Sequence, residues 1–270
     1  MNLAAAAQSS IGRKLISGLT GLLLIGFVIG HLTGNFLLLV GPEAFNNYAY
    51  FLEHLFHGAG LYVAEVGLII LFASHAWSGY RVWDQKWKAR PTKYVEPGDA
   101  GGKSKKSISS TSMLWTGCLL LLFVVWHVAQ FKFGIVDTMD RTFTAADGRH
   151  MKDLYGLVID TFANPLWTGL YLVVMAGLGV HLWHGAWSAF QSLGLANDSY
   201  LPRITLVANF LAVVLAIGFL FLPAYIMIDN ANLKKKDQDY MRLYQGYESN
   251  GHVVAMRPSG AMMQSAEKAA

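Results

Sequence analysis

The sequence predicts an all-α integral membrane protein built as a five-transmembrane-helix bundle. Three observations lead there. Of 270 residues, 54% are hydrophobic and only 14% charged, where soluble domains carry about 25% charged residues. The mean hydropathy is +0.36. Five apolar runs, 16–40, 60–82, 113–133, 165–190 and 204–228, reach the roughly 20 residues that a helix needs to cross a hydrocarbon core of about 30 Å. The formal charge of +4 is carried largely in short segments flanking these runs, where it serves topology. Membrane lipids are therefore expected partners, and nucleic acid is not.

The first run follows Arg13 and Lys14 and ends at Gly41-Pro42. It is long enough to span and no small-x-small cleavage site follows it, so it reads as a retained helix rather than a signal peptide. The link after the second run holds Lys86, Lys88, Arg90, Lys93, Lys103, Lys105 and Lys106, and its glycine- and serine-rich stretch 97–110 reads as mobile. The link 134–164 is mixed, with Asp137, Asp140, Asp147, Asp153 and Asp160 against Arg141, Arg149 and Lys152. Asn164-Pro165 opens the fourth run and Pro202-Arg203 the fifth, while Pro223 falls in the last turns of the fifth. Residues 1–230 form the expected membrane domain, and 231–270 a polar tail with no assigned role.

If the spans alternate, Arg13, Lys14, Arg203 and the lysine-rich link share one side. The positive-inside rule makes that side cytoplasmic. The N-terminus is then cytoplasmic and the C-terminus outside, which leaves Lys234, Lys235 and Lys236 on the side the rule disfavours. The single cysteine, Cys118, lies in an apolar run. One copy of the chain therefore supplies neither a disulfide nor a cysteine-ligated zinc site or iron–sulfur cluster.

Four of the apolar runs each contain a histidine at matched depth: His31, His75, His127 and His181. Each stands 14–16 residues after its run begins and 6–9 before it ends. Ionisable groups in a bilayer are costly and mark function. Alternation of the spans puts His31 and His127 in the outer half, and His75 and His181 in the inner half. Each lies about 5 Å from the centre at 1.5 Å per residue, so the two levels stand about 10 Å apart. Zinc would require three or four ligands. Two imidazoles on opposite faces of a planar macrocycle suit haem iron. The expected fold is thus a five-helix bundle holding two stacked haem groups. Gly26, Gly30 and Gly34, with Gly177 and Gly179, serve either haem clearance or close helix packing. His184, one turn beyond His181, is an alternative ligand or a group near a haem propionate. His54, His57, His150 and His252 fall in links and polar segments and read as surface histidines.

The run His181-Leu-Trp-His184-Gly-Ala-Trp-Ser-Ala-Phe-Gln-Ser-Leu-Gly194, with Glu43-Ala-Phe-Asn46 and Trp126-His127-Val128, resembles the cytochrome b558 membrane-anchor subunit of succinate dehydrogenase and fumarate reductase, in its single-subunit, five-helix, di-haem form. The resemblance covers about residues 10–228. It implies two haem b groups, one on His31 and His127 (distal) and one on His75 and His181 (proximal), and it selects His181 over His184. It implies a flavoprotein (FAD) subunit and an iron–sulfur subunit on the cytoplasmic face of a bacterial inner membrane. Electrons would pass from the iron–sulfur subunit through both haems to a quinone, commonly menaquinone, and the whole complex could form a higher oligomer. The dicarboxylate site would lie on another subunit.

The same resemblance points to Glu53, in Phe51-Leu-Glu-His54, as a carboxylate for proton exchange with the quinone. Glu65, inside the second run, is a second candidate for proton transfer or for bonding a neighbour. Arg81, with Arg13 and Lys14, is a candidate for pairing with haem propionates. Gly179 stands where some quinol-oxidising members carry a glutamate, which tilts the reading towards succinate oxidation. The alternatives are a quinol-oxidising fumarate reductase subunit, or the di-haem subunit of another quinone-linked enzyme such as a formate dehydrogenase, hydrogenase or nitrate reductase. A histidine–glutamate proton channel or transporter and a passive anchor are further alternatives.

Overall fold

The protein is a multi-pass all-α membrane bundle. Its computed structural model describes residues 8–89, 108–135, 142–145, 147–195 and 197–249. Arg90, Lys93, Lys103, Lys105, Lys106, Asp137, Asp140, Arg141 and His252, and the stretch 97–107, lie outside the described residues. In chain order the elements are α1 (Ser10–Asn35), α2 (Leu37–Val40), α3 (Pro42–His54), α4 (Ala59–Lys88), α5 (Ile108–Phe131), β1 (Thr142–Thr144), β2 (His150–Lys152), α6 (Leu154–Ala163), α7 (Pro165–Ser192) and α8 (Leu201–Ser249). Among the described residues, five helices are long and apolar enough to cross a membrane: α1 continued by α2, α4, α5, α7 and α8.

The caps follow local chemistry. Ser9 accepts from the Gly12 N–H at 3.0 Å, and Asn164 from the Leu166 N–H at 2.9 Å with Pro165 in the first turn of α7. Asp153 caps α6 through the Gly156 N–H at 3.0 Å. Each satisfies an N–H that the helix itself cannot pair. Phe56, His57 and Gly58 all have positive φ (51°, 58° and 86°) and turn the chain from α3 into α4.

Contacts at the two ends show that the spans alternate. At the near end, where the described chain starts, Gly18 packs on Ala189 and Ser192, and Gly185 faces Met113. At the far end the hairpin β1–β2 docks on α3, where Arg149 bonds Asn47 and lies over the Tyr50 ring. One core cluster joins α1, α7 and α8 through Ile25, Leu32, Leu182, Ala186, Ala212 and Leu215. A second fills the far end with Phe45, Tyr155, Ile159, Tyr171, Ile226 and Leu233. Between lipid-embedded helices this stabilisation comes from close packing rather than from release of water.

By contrast, α4 buries only Ser78. Ile69, Ile70, Leu122 and Val125 on α4 and α5 are 59–72% exposed. Such apolar surface needs lipid or a ligand to cover it.

Three features were not expected. The link 41–59 contains α3, and the link 134–164 contains a hairpin and α6. The last helix is interrupted at Asp229 (φ −102°, ψ 16°), six residues past Pro223, where Tyr225 and Asn232 both donate to the Asp229 carboxylate. Such local side-chain bonds offer an alternative to helical geometry. The stretch expected as a polar tail instead continues α8 to Ser249. This extension folds onto the far end: Lys236 donates to the Val40 carbonyl at 2.7 Å, Lys234 pairs with Asp160, and Tyr240 stacks on Phe143. Two of the three lysines that the charge rule disfavoured are thus engaged by far-end groups.

The far end is tied by Asn46, which is 1% exposed. Its amide donates to Asp153 Oδ1 at 3.0 Å, and its oxygen accepts the Tyr155 N–H at 2.8 Å. Burial pushes the Tyr155 phenol pKa up, and nearby Asp237 adds to the rise. Replacement Asn46→Leu strands the buried Tyr155 N–H and removes one of the donors to the buried Asp153 carboxylate, which keeps the Gly156 N–H. It is expected to cost about 2 kcal/mol, read as a lower Tm in detergent and faster proteolysis between α3 and α6.

Candidate functional site

The four membrane histidines meet as two pairs. The ring centres of His31 on α1 and His127 on α5 are 5.7 Å apart, with planes at 83°. Those of His75 on α4 and His181 on α7 are 6.3 Å apart, with planes at 73°. A metal–imidazole nitrogen bond is about 2 Å long, so two rings on opposite sides of one ion have centres about 6 Å apart. Edge-to-face aromatic packing reaches similar distances, so separation alone does not make a site. The hydrogen bonds of the rings add the chemistry.

His75 Nδ1 lies 3.2 Å from the Ser17 carbonyl and 3.3 Å from Thr20 Oγ1. A carbonyl only accepts, so Nδ1 carries the proton. Thr20 donates its own hydroxyl proton to the Ile16 carbonyl at 2.6 Å, leaving its lone pairs for the imidazole. The other ring of the same pair repeats the device, and so does one ring of the far pair. His181 Nδ1 is 3.0 Å from Thr116 Oγ1, which donates to the Ser112 carbonyl at 3.0 Å. His127 Nδ1 is 3.2 Å from the Tyr171 hydroxyl, which donates to Gln130 Oε1 at 2.8 Å. In all three rings the protonated nitrogen is held and Nε2 is left as the basic one. That is the arrangement in which second-shell partners present a histidine to a metal. His31 is held by ring stacking on Phe27 and Phe219, at 5.6 and 6.1 Å.

The residues holding the rings were not singled out in the sequence, yet a signal was there. Thr20 stands eleven residues before His31, and Thr116 eleven before His127. Eleven residues make about three helical turns, so hydroxyl and histidine share one helix face. Each of α1 and α5 thus carries one histidine of the far pair and, about 16 Å along the same stripe, the hydroxyl that holds a near-pair ring.

Backbone clearance differs between the glycines. A Cβ at Gly34 would stand 2.6 Å from the Tyr48 ring, one at Gly177 3.0 Å from Leu119, and one at Gly179 2.9 Å from Ala216. These three serve packing, and position 179 has no room for a carboxylate side chain. Gly26 and Gly30, flanking the His31 turn, meet nothing within 4 Å and leave open space. Gly21 lets His75 lie close, since its Cβ would come within 3.1 Å of the ring.

The other candidates are distributed between the ends. Arg81 and Arg13 line a near-end cleft of about 420 Å3 with Ser74 and Ser78, which flank His75, and with Trp77. Arg81 also lies over the Trp77 ring at 5.7 Å. His184 packs edge-on against Trp187 at 5.0 Å and is not brought to His75. At the far end Glu65 is ion-paired with Lys132, joining α4 to α5. Glu53 is exposed at the end of α3. His54 bonds the Tyr50 carbonyl and His150 the Thr144 hydroxyl, consistent with surface roles.

Among the described residues no group of three or more His, Cys, Asp or Glu side chains gathers as a metal site. The donor sets present are therefore the two-histidine pairs, which suit a metal whose other positions are filled by a macrocycle. The near pair has arginines beside it and the far pair has open glycine surface beside it, so the residues fit haem. Comparison with protein families, with curated proteins and with solved structures finds no match to this chain.

The glycine geometry gives a paired expectation. Gly34→Ala forces the Tyr48 ring aside and is expected to cost about 1–3 kcal/mol. Gly30→Ala meets no neighbour inside a helix, so it should not lower the unfolding temperature of the ligand-free protein and is expected to raise it slightly, by the equivalent of about 0.5–1 kcal/mol.

Proposed function

We propose that this chain is the membrane-anchor cytochrome b subunit of a succinate:quinone oxidoreductase in a bacterial cytoplasmic membrane. The observation that carries the reading is the meeting of four lipid-depth histidines as two pairs, one at each level, three of the rings held at Nδ1. The resemblance in the histidine-bearing segments supplies the enzyme. Haem b, when bound, supplies a one-electron carrier at each level between a cytoplasmic iron–sulfur subunit and a quinone.

The chain's own residues have distinct tasks in this reading. His75 and His181 hold the inner group, with Ser17, Thr20 and Thr116 fixing the two rings. His31 and His127 hold the outer one. Arg13 and Arg81 meet carboxylates at the inner edge, where charge-assisted bonds are strong in a partly dry cleft. Glu65, beside Lys132, and Glu53 exchange protons with a quinone at the outer boundary. The near end is then cytoplasmic, as its Arg13, Lys14, Lys86, Lys88 and Arg203 favour. The packed Gly179 backbone favours succinate oxidation over the quinol-oxidising alternative.

The test is purification of the complex from its native membrane. The expected result is a b-type reduced-minus-oxidised spectrum with two haems per chain and a copurifying succinate-oxidising flavoprotein. His75→Ala or His181→Ala should remove the inner haem, and His31→Ala or His127→Ala the outer, each halving haem per chain. A well-folded complex without haem, or a molybdenum or nickel partner, overturns the assignment.

A further inference from the structure

The two levels differ in how their rings are held, and the difference centres on Tyr171. This side chain is 3% exposed and Gln130 is 1% exposed, both at lipid depth. Their bonds run in one direction: His127 Nδ1–H to the Tyr171 oxygen at 3.2 Å, then the Tyr171 O–H to Gln130 Oε1 at 2.8 Å. His127 and Gln130 lie one turn apart on α5, and α7 inserts the phenol between them. Packing does not require this, because Phe123, Phe131 and Phe162 already surround the Tyr171 ring and an apolar residue would fill the place of the amide. A buried amide with no partner would cost about 1–3 kcal/mol, so the geometry is kept by mutual satisfaction. The partner ring, His31, is held by aromatic stacking.

We propose that Tyr171, polarised by Gln130, sets the electron affinity of the far-end two-histidine centre through His127. The proposal rests on the haem reading above. Donation from Nδ1–H into the phenol oxygen makes the imidazole a more basic ligand. A more basic axial ligand favours the oxidised iron and lowers the midpoint potential. The Gln130 carbonyl draws the phenol proton, which makes the phenol oxygen a better acceptor, because bonds in a chain polarise one another. Tyr171 is a positioning residue here and Gln130 acts only through it.

The experiment is a redox titration of the whole complex, followed in the haem absorbance and in the low-spin ferric resonance signals. The far-end signal is assigned by its loss in His31→Ala. Tyr171→Phe keeps the ring and removes the oxygen. The expected result is full haem content, a higher midpoint potential for the far-end haem, and no shift of the near-end haem. Gln130→Met should shift the same potential upward by less. The double variant should match Tyr171→Phe alone, since coupled residues are not additive. Thr116→Val should shift only the near-end haem.

An unmoved far-end potential in Tyr171→Phe, or full additivity in the double variant, overturns the proposal. If Tyr171→Phe does not assemble, an unmoved potential in Gln130→Met overturns it. A wild-type complex without haem is a different failure, seen in the wild-type spectrum before any variant is made, and it removes the haem reading itself.

Discussion

An imidazole inside a bilayer must give its N–H to something, because no water is there to take it. In this protein three of the four rings give it to an oxygen on a neighbouring helix, the hydroxyl of Thr20, Thr116 or Tyr171. Each of those hydroxyls has already committed its own proton elsewhere. The donor direction is therefore settled along each chain, and each of these three rings is left with Nε2 as its basic nitrogen. Helix packing follows from the same need. The spans must approach closely enough for 3.0–3.3 Å bonds between them, and Gly21 permits that approach beside the His75 ring.

Around this polar seam the bundle is unevenly packed. One half, α1, α7 and α8, is joined by small and branched apolar residues. The other half, α4 and α5, keeps most of its apolar surface exposed. Each histidine pair takes one ring from α1 or α7 and one from α4 or α5. The rings thus meet where the well-packed half faces the loosely packed half, which is where a bulky group can be accommodated with least loss of packing. The far end is closed by other means: the buried Asn46 and Asp153 bond, and the extension of α8 bound through Lys234 and Lys236.

The spans were legible because a bilayer imposes one long apolar run per crossing, and nothing else in a chain of this composition produces five. Their limits were less legible. Helices α4 and α8 carry on into charged residues, Lys86 and Lys88 in one and the stretch from Lys234 in the other, since outside the lipid a helix needs packing or solvent rather than hydrophobicity. The short α3 and the hairpin were missed because their polar and apolar residues mix without a long period, α6 because its ten largely apolar residues are too few to cross a bilayer, and the partners of all three are far apart in sequence. Asn46, for example, is satisfied by Asp153 and Tyr155, more than a hundred residues later.

The sequence by itself determined the membrane class, the alternation of the spans and the depth of the four histidines, because each depends only on run length and position along a helix of known rise. It also carried the eleven-residue spacing that links each of two threonines to a histidine on its own helix. Only the tertiary structure decided which oxygen holds which ring, that Glu65 is held by Lys132, that Gly34 and Gly179 pack while Gly26 and Gly30 stay open, and that the charged C-terminal stretch folds back on the far end. Those outcomes depend on how helices rotate about their axes and cross one another, and a single chain of residues does not state a rotation.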